Sequence, residues 1–356
     1  MRLDASSRIG IGHLARSLTL AGAFTRAGVQ VRFACHALPE GPKKWLTAQD
    51  FALVNVDAEP GSPADQRQTV ALARQSGANL VFIDGYQFGS DYLQGFRQAR
   101  LFACYFDDMI NLDYQCHAVF NQNFHSPADQ FRAAHDCTLI LGPQYALLRD
   151  EFVDARGARP TTVAAVGRRL LVTMGGADPT AETEKVLRAL GVGPLARDGG
   201  PVLDVRVVVG SANPRASEIR TAAAASGRHQ VEVLQDIRNM AEQMSWCDVA
   251  LSASGTTCME LCCVGVPSII TMVVDNQRLI GPALQQLGLM RLAGWHEEVQ
   301  PAELSIAIAA LMDDQPARAA MVSRQRAAID GLGKHRAVQL MLATFDRLVK
   351  AGVVDC

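Results

Sequence analysis

Apolar residues recur along this chain with two alternating periods. Leu14, Leu18, Ala21 and Phe24 share one helical face, and Gly28 is placed to stop that helix. Short, nearly continuous apolar runs at 29–35, 51–56, 80–83, 101–106, 118–120 and 138–141 predict strands, with helical stretches between several of them, as at 65–75. Such strands, alternating with helices, predict a parallel sheet covered on both faces. Residues 154–168 are rich in Ala, Gly, Arg, Pro and Thr and lack a clear period, which predicts a linker. A second series comes next, with strands at 170–174, 205–209, 230–234, 249–251 and 268–274 and a short one near 290–292. The tail predicts helices at 301–312, 317–329 and 337–350. The fold class is therefore α/β, with two Rossmann-like doubly wound domains at 1–153 and 168–335, a C-terminal helix at 336–356, and an expected interdomain cleft.

In doubly wound sheets, ligands gather at the carboxyl ends of strands. Polar punctuation stands at those places: the Gly10–His13 loop, Asp84-Gly85-Tyr86, Asp107-Asp108, Gly175-Gly176-Ala177-Asp178, Gly210-Ser211-Ala212-Asn213, and Ser252 to Thr257. Bulk composition narrows the partners. The 356 residues carry a formal net charge of −2, which offers no basic field for nucleic acid or an acidic membrane. No apolar run approaches the ~20 residues of a membrane helix, and Arg2, Asp4 and Arg8 interrupt any signal-like opening, so a cytoplasmic location is expected. The nine cysteines are scattered without a C-x-x-C pair, and Cys258, Cys262 and Cys263 read as buried thiols of one helix rather than a metal site. The oligomeric state is left open.

The first loop fits G-x-G-x-x-A through Gly10, Gly12 and Ala15. A dinucleotide site would need an acidic residue at the tip of the second strand, and 29–35 runs out into His36 and Ala37 instead. What remains is His13 at a helix start. There the dipole disfavours the imidazolium, so a neutral ring acting as a base near pH 7 is expected. Ser252-Ala253-Ser254-Gly255-Thr256-Thr257 precedes another helix, and a run of small residues at a helix N-terminus favours phosphate binding. Thr257-x-x-Glu260 is also a capping-box pattern, so Glu260 is either a ribose ligand or a cap partner. Asn276 and Gln277 carry amides suited to phosphate or sugar oxygens, Asp275 or Asn276 being equally suited to N-capping. Gly175-Gly176 permits close backbone approach or a plain tight turn. Tyr86 is placed to bond a substrate. Only one of Asp107 and Asp108 is expected to face the site, the other being solvated.

Together and in this order, these segments resemble the PseG-type UDP-sugar hydrolases of pseudaminic acid biosynthesis. The matching segments are Arg2-Leu3-Asp4-Ala5-Ser6, Ile9-Gly10-x-Gly12-His13-x-x-Arg16, Asp84-x-Tyr86, Asp107-Asp108, Gln122-Asn123, Leu141-Gly142-Pro143-x-Tyr145-Ala146-Leu147-Leu148-Arg149, Gly175-Gly176-Ala177-Asp178-Pro179, Ser254-Gly255-x-Thr257-x-x-Glu260, Gly265-x-Pro267 and Asn276-Gln277. The resemblance spans nearly the whole chain. It implies a GT-B-like fold and metal-independent hydrolysis of UDP-2,4-diacetamido-2,4,6-trideoxy-β-L-altropyranose to UDP and free sugar, with inversion and without a cofactor. It implies His13 as general base, with Gly12, Arg16, Tyr86, Asn276 and Gln277 contacting substrate and Gly176, Ser254, Gly255, Thr256, Thr257 and Glu260 holding UDP. Three departures stand out. The chain opens at Met1-Arg2-Leu3-Asp4 where the family has a full first strand, so a truncated strand or a misassigned start is expected. Gly85 replaces a usual histidine, and the phosphate loop lacks the common Gly-Gly-Ser and the aromatic before Glu260. Two other readings fit the same residues: a GT-B glycosyltransferase using a UDP-sugar donor, and a non-catalytic UDP-sugar-binding protein.

Overall fold

In a computed structural model, residues 1–4, 12–36, 38–176, 178–210, 213–237 and 239–356 are described. The chain divides into two compact units, Met1–Leu148 with Leu332–Cys356, and Arg149–Gly331. The first boundary thus falls at Leu148, and the C-terminal helix Gly333–Lys350 packs on the first unit. Its Ala337, Val338, Met341 and Leu348 join Phe102, Phe120 and Leu147 in one core, and Lys334 Nζ donates to Leu148 O at 3.0 Å.

The first unit contains β1 (Arg2–Leu3), β2 (Arg32–Cys35), β3 (Ala52–Asn55), β4 (Leu80–Asp84), β5 (Phe102–Phe106), β6 (Asp113–Tyr114), β7 (Ala118–Asn121), β8 (Arg132–Ala133) and β9 (Thr138–Leu141). Seven of these form one sheet in the order β3-β2-β1-β4-β5-β7-β9, while β6 and β8 pair separately. Every pairing in the seven-stranded sheet is parallel. The helix Gly12–Arg26 ends before Gly28, whose φ of 82° only glycine adopts without strain.

The second unit carries β10 (Arg169–Thr173), β11 (Asp204–Val209), β12 (Gln230–Gln235), β13 (Val249–Ala253), β14 (Ser268–Met272) and β15 (Arg291–Trp295). They form a parallel sheet in the order β12-β11-β10-β13-β14-β15, with Leu170, Val172, Val205, Val207, Leu251 and Ile269 in its core. In both sheets strand order reverses beside the first strand, between β1 and β4 and between β10 and β13. Ligands of open α/β sheets sit at such reversals, beyond the carboxyl ends.

The expected linker is partly structure. Asp150–Ala158 is a helix, and arginines in and after it bind the ends of other helices. Arg156 donates to the carbonyls of Cys263, Arg326 and Ile329 at 3.1, 3.0 and 2.9 Å. Arg159 donates to those of Met244, Ser245 and Cys247 at 2.7 to 2.8 Å. Cations are favoured at helix C-termini, where carbonyls lack partners. Segment 154–168 has no apolar period because it packs through guanidinium groups. Among the described residues no helix is long and apolar enough to cross a membrane.

Candidate functional site

The Gly10–Ile11 part of the first loop, and Ala5, Ser6 and Ile9 with it, lie outside the described residues, as do Ala177, Ser211 and Ala212. The helix after the loop is described. Gly12 is its exposed first residue, and His13 is the second. Arg16 lies three residues on, so it shares a face with His13. Both side chains are buried, and both turn onto Asp84, the last residue of β4.

His13 Nδ1 sits 2.6 Å from Asp84 Oδ1. A carboxylate only accepts, so a proton on Nδ1 would satisfy this contact, while Arg16 Nη2 lies 2.9 Å from the same nitrogen. Arg16 grips the same carboxylate with two parallel bonds, Nε to Oδ2 at 2.7 Å and Nη2 to Oδ1 at 2.5 Å. Its Nη1 reaches Asp108 Oδ2 at 2.8 Å, and its guanidinium lies 3.5 Å from the centre of the Phe106 ring. Burial works to raise the Asp84 pKa, but the Arg16 charge and the bonds from Arg16 and His13 outweigh it and hold the carboxyl at about 2. Asp84 therefore stays ionised beside the His13 imidazole. A carboxylate so placed can hold an imidazole in one tautomer and stabilise a positive charge developing on it. Arg16 is committed to two carboxylates. These bonds run to protein carboxylates, Asp84 and Asp108.

Tyr86 follows β4, half-exposed, with its hydroxyl donating to Asp108 Oδ2 at 3.1 Å and its ring edge-on to His13 at 5.1 Å between centroids. Asp108 is thus the member of its pair that faces the cluster. Asp107 is not the solvated residue expected. It is buried, accepts from the Ile110 amide at 3.0 Å and from Asn121 Nδ2 at 3.1 Å, and so shapes the turn after β5.

In the second unit the residues at the β10/β13 reversal form a separate group. Gly175 adopts φ 84°, and Gly176 is exposed. The Gly176 backbone runs so close to Gly210 that a Cβ there would lie 2.3 Å from Gly176 O. Asp178 is buried and receives the amides of Glu182 and Thr183, both at 2.9 Å. Ser254 is fully buried, its hydroxyl donating to Gln277 Oε1 at 3.2 Å, and the same oxygen accepts the Val273 amide at 2.8 Å. Ser254 and Gln277 therefore brace the loop from within. Asn276 sits half-buried beside Gln277 in the turn Asp275–Gln277.

Gly255, Thr256 and Thr257 form the accessible part of the loop. Thr256 is the N-cap of the helix Thr257–Val264 and makes no side-chain cap bond. The capping box open to Thr257 and Glu260 is not built. Glu260 instead lies 3.7 Å from Arg149 Nη2, which also bonds Glu151 at 2.8 Å. Burial pushes the Glu260 pKa up to about 7, with Arg149 opposing and Glu151 adding to the rise. The side chain keeps 22% of its exposure, so water tempers this effect. An accessible small-residue loop at a helix start, with a poised carboxyl one turn on, suits an anionic ligand carrying vicinal hydroxyls. Cys258, Cys262 and Cys263 are buried in that helix. Among the described residues no group of three or more His, Cys, Asp or Glu is arranged to hold a metal ion.

Residues 170–332 match the model of the glycosyltransferase family 28 C-terminal domain. Over its full span the chain is similar in structure to MurG of Acinetobacter baumannii, with a TM-score of 0.71 and 16% identity, covering 96% of this chain and 99% of that one. The chain has a two-domain, GT-B-like α/β fold. It is also similar to the UDP-GlcNAc 2-epimerase of Neisseria meningitidis bound to UDP-GlcNAc, with a TM-score of 0.64, 10% identity and coverage of 97% and 99%. In sequence it is 27% identical over 206 residues to the spore coat polysaccharide biosynthesis protein SpsG of Bacillus subtilis (strain 168), which is 58% of each chain. The chain spans 58% and 55% of the length of the curated relatives it matches.

Sequence reasoning marks Asp84 as a strand end but gives it no role, and it passes over Arg149 as a charge beside Glu260. The Asp84–His13 pair is 71 positions apart in sequence. The available signal was an aspartate at the carboxyl end of an expected strand, where doubly wound sheets gather ligands.

Proposed function

We propose that this chain cleaves the glycosyl–phosphate bond of a UDP-linked sugar. The observation that carries the reading is the buried Asp84–His13 pair, which leaves Nε2 as a base. The second unit holds the nucleotide through the Gly255–Thr257 loop and the Gly176 turn, with Glu260 on the ribose. His13 takes a proton from the nucleophile as it attacks the anomeric carbon with inversion, and UDP leaves as the anion. The nucleophile is water. The resemblance in segments such as Gly142 to Arg149 supports this choice, with UDP-2,4-diacetamido-2,4,6-trideoxy-β-L-altropyranose as the substrate.

The family 28 match and the role of SpsG in polysaccharide biosynthesis favour a second reading, in which the same base activates a carbohydrate hydroxyl and the reaction is glycosyl transfer. One experiment divides the two. The protein is incubated with the UDP-trideoxy sugar and no acceptor, and the anomeric signals are followed by NMR. UDP and free sugar in equal amounts establish hydrolysis. Intact substrate that turns over only on adding a carbohydrate acceptor establishes transfer. Substrate that is bound yet intact under both conditions refutes an enzymatic role.

A further inference from the structure

Two helices of the second unit, Asp150–Ala158 and Thr257–Val264, are tied together at Cys263. Arg156 donates to Cys263 O at 3.1 Å, and the Cys263 thiol lies 3.7 Å from Phe152 O. One turn back along each helix, the same pairing sets Arg149 beside Glu260. Arg149 is the N-cap of the first helix, and Glu260 lies in the first turn of the second. The Arg149 guanidinium lies 5.0 Å from the centre of the Phe152 ring, which is fully buried and gives the charge a fixed seat.

That one guanidinium serves two carboxylates. Arg149 Nη2 is 2.8 Å from Glu151 Oε1 and 3.7 Å from Glu260 Oε1. The second distance is a charge contact, too long for a hydrogen bond. The two glutamates therefore draw on the same cation at unequal range. Burial is the largest influence on the Glu260 carboxyl and favours its neutral form, Arg149 favours the ion, and Glu151 opposes it. Cys258 of the same helix is a buried, neutral thiol. Arg156, Arg326 and Asp330 act on Cys263, one turn further along.

Charge matters to what Glu260 can hold. An ionised carboxylate accepts on both oxygens, and its hydrogen bonds are roughly twice as strong as those between neutral groups. We propose that Arg149 is a positioning residue that keeps Glu260 as a carboxylate gripping the ribose, and that Glu151 sets the strength of that grip by drawing on the same guanidinium. Neither Arg149 nor Glu151 touches the nucleotide. The inference rests on the reading that Glu260 takes the ribose of UDP.

The test compares UDP with 2′,3′-dideoxy-UDP by calorimetry on the full chain and on Arg149→Gln, Arg149→Lys and Glu151→Gln, at pH 6 and pH 9. Comparing variants at one pH cancels the ionisation of the ligand's own phosphates. At pH 6 roughly a tenth of a carboxyl titrating at about 7 is ionised, so UDP affinity follows its charge nearly in proportion. Arg149→Gln should weaken UDP about fivefold or more there, and Arg149→Lys should keep most of the affinity. Glu151→Gln should tighten UDP about threefold or more, a gain that a poorly folded variant does not produce. At pH 9 the four chains should agree within about twofold, and dideoxy-UDP should bind all four alike at both pH values. Equal weakening of both ligands by Arg149→Gln would mean that Arg149 contacts the nucleotide itself, which overturns the inference. So does a Glu151→Gln chain whose UDP affinity is unchanged or lower. A wild-type chain that prefers UDP to dideoxy-UDP at pH 9 keeps the ribose reading standing through either result. One that binds the two alike removes that reading and the inference with it.

Discussion

Asp84→Asn separates the two tasks of the buried carboxylate. The asparagine keeps the shape but loses the charge that pairs with Arg16 at 2.7 and 2.5 Å and with His13 at 2.6 Å. Breaking a buried ion pair by removing one partner costs about 3–5 kcal/mol. Arg16 retains Asp108 at 2.8 Å, so the lower end, about 3 kcal/mol at pH 7, is expected. The pH dependence identifies the source. The Asp84 carboxyl titrates at about 2 in the folded chain against an ordinary 3.8. A depressed carboxyl pKa contributes stability that is fully present above 3.8 and is lost as pH falls through about 2, some 2 kcal/mol in all. Denaturant unfolding of both proteins at pH 7 and near pH 2 should therefore show a gap that narrows in acid. Turnover should fall by about 10³-fold or more, because an amide NH₂ facing Nδ1 favours the wrong tautomer. A gap below about 1 kcal/mol at pH 7, or one unchanged in acid, would refute the buried-pair account. Full turnover in the variant would refute the role of Asp84 in orienting His13.

Three further outcomes are expected. His13→Asn should abolish turnover while UDP affinity, read by calorimetry, stays within about threefold, since the ring is assigned to the sugar end and each tenfold change would mean about 1.4 kcal/mol of lost contact. Glu260→Gln should stabilise the fold above pH 7 and leave it unchanged below pH 4.5, because a carboxyl raised from 4.5 to about 7 makes stability fall as pH rises between those values. Unfolding curves of the two proteins that stay parallel across that range would contradict it. Gly210→Ala should cost about 1–3 kcal/mol, since its Cβ would press on the Gly176 carbonyl, and calorimetry should show weaker UDP binding as the Gly175–Gly176 turn shifts.

How much of the fold and the site was legible in the sequence depended on the range of the interaction. Strand positions followed from apolar runs, because a strand buried on both faces writes its environment into adjacent residues. The runs at 80–83 and 138–141 correspond to Leu80–Asp84 and Thr138–Leu141. Where order rests on one guanidinium reaching several carbonyls, as with Arg156 and Arg159, no period exists to be read, and a packed helix resembled a linker. The C-terminal helix shows the same limit. Its apolar face is plain, but nothing local says that it returns to Phe102 and Phe120.

The paired aspartates show why the site was harder to read than the fold. Neighbouring residues leaving a strand point to opposite sides, so one of Asp107 and Asp108 had to face away from His13. The sequence supplied that geometry but not the groups on the other side. Asp107 finds the Ile110 amide and Asn121, groups brought there by the turn and by β7, and its burial follows from those partners. Asp108 finds Arg16, Tyr86 and Asn123. Arg16 ties the cluster together, since it bonds both Asp84 and Asp108. Its charge keeps Asp84 ionised, and in the proposed mechanism an ionised Asp84 holds the His13 proton on Nδ1, so that Nε2 takes the other. A motif reading does not show these bonds, because each link joins residues that only the parallel sheet brings together.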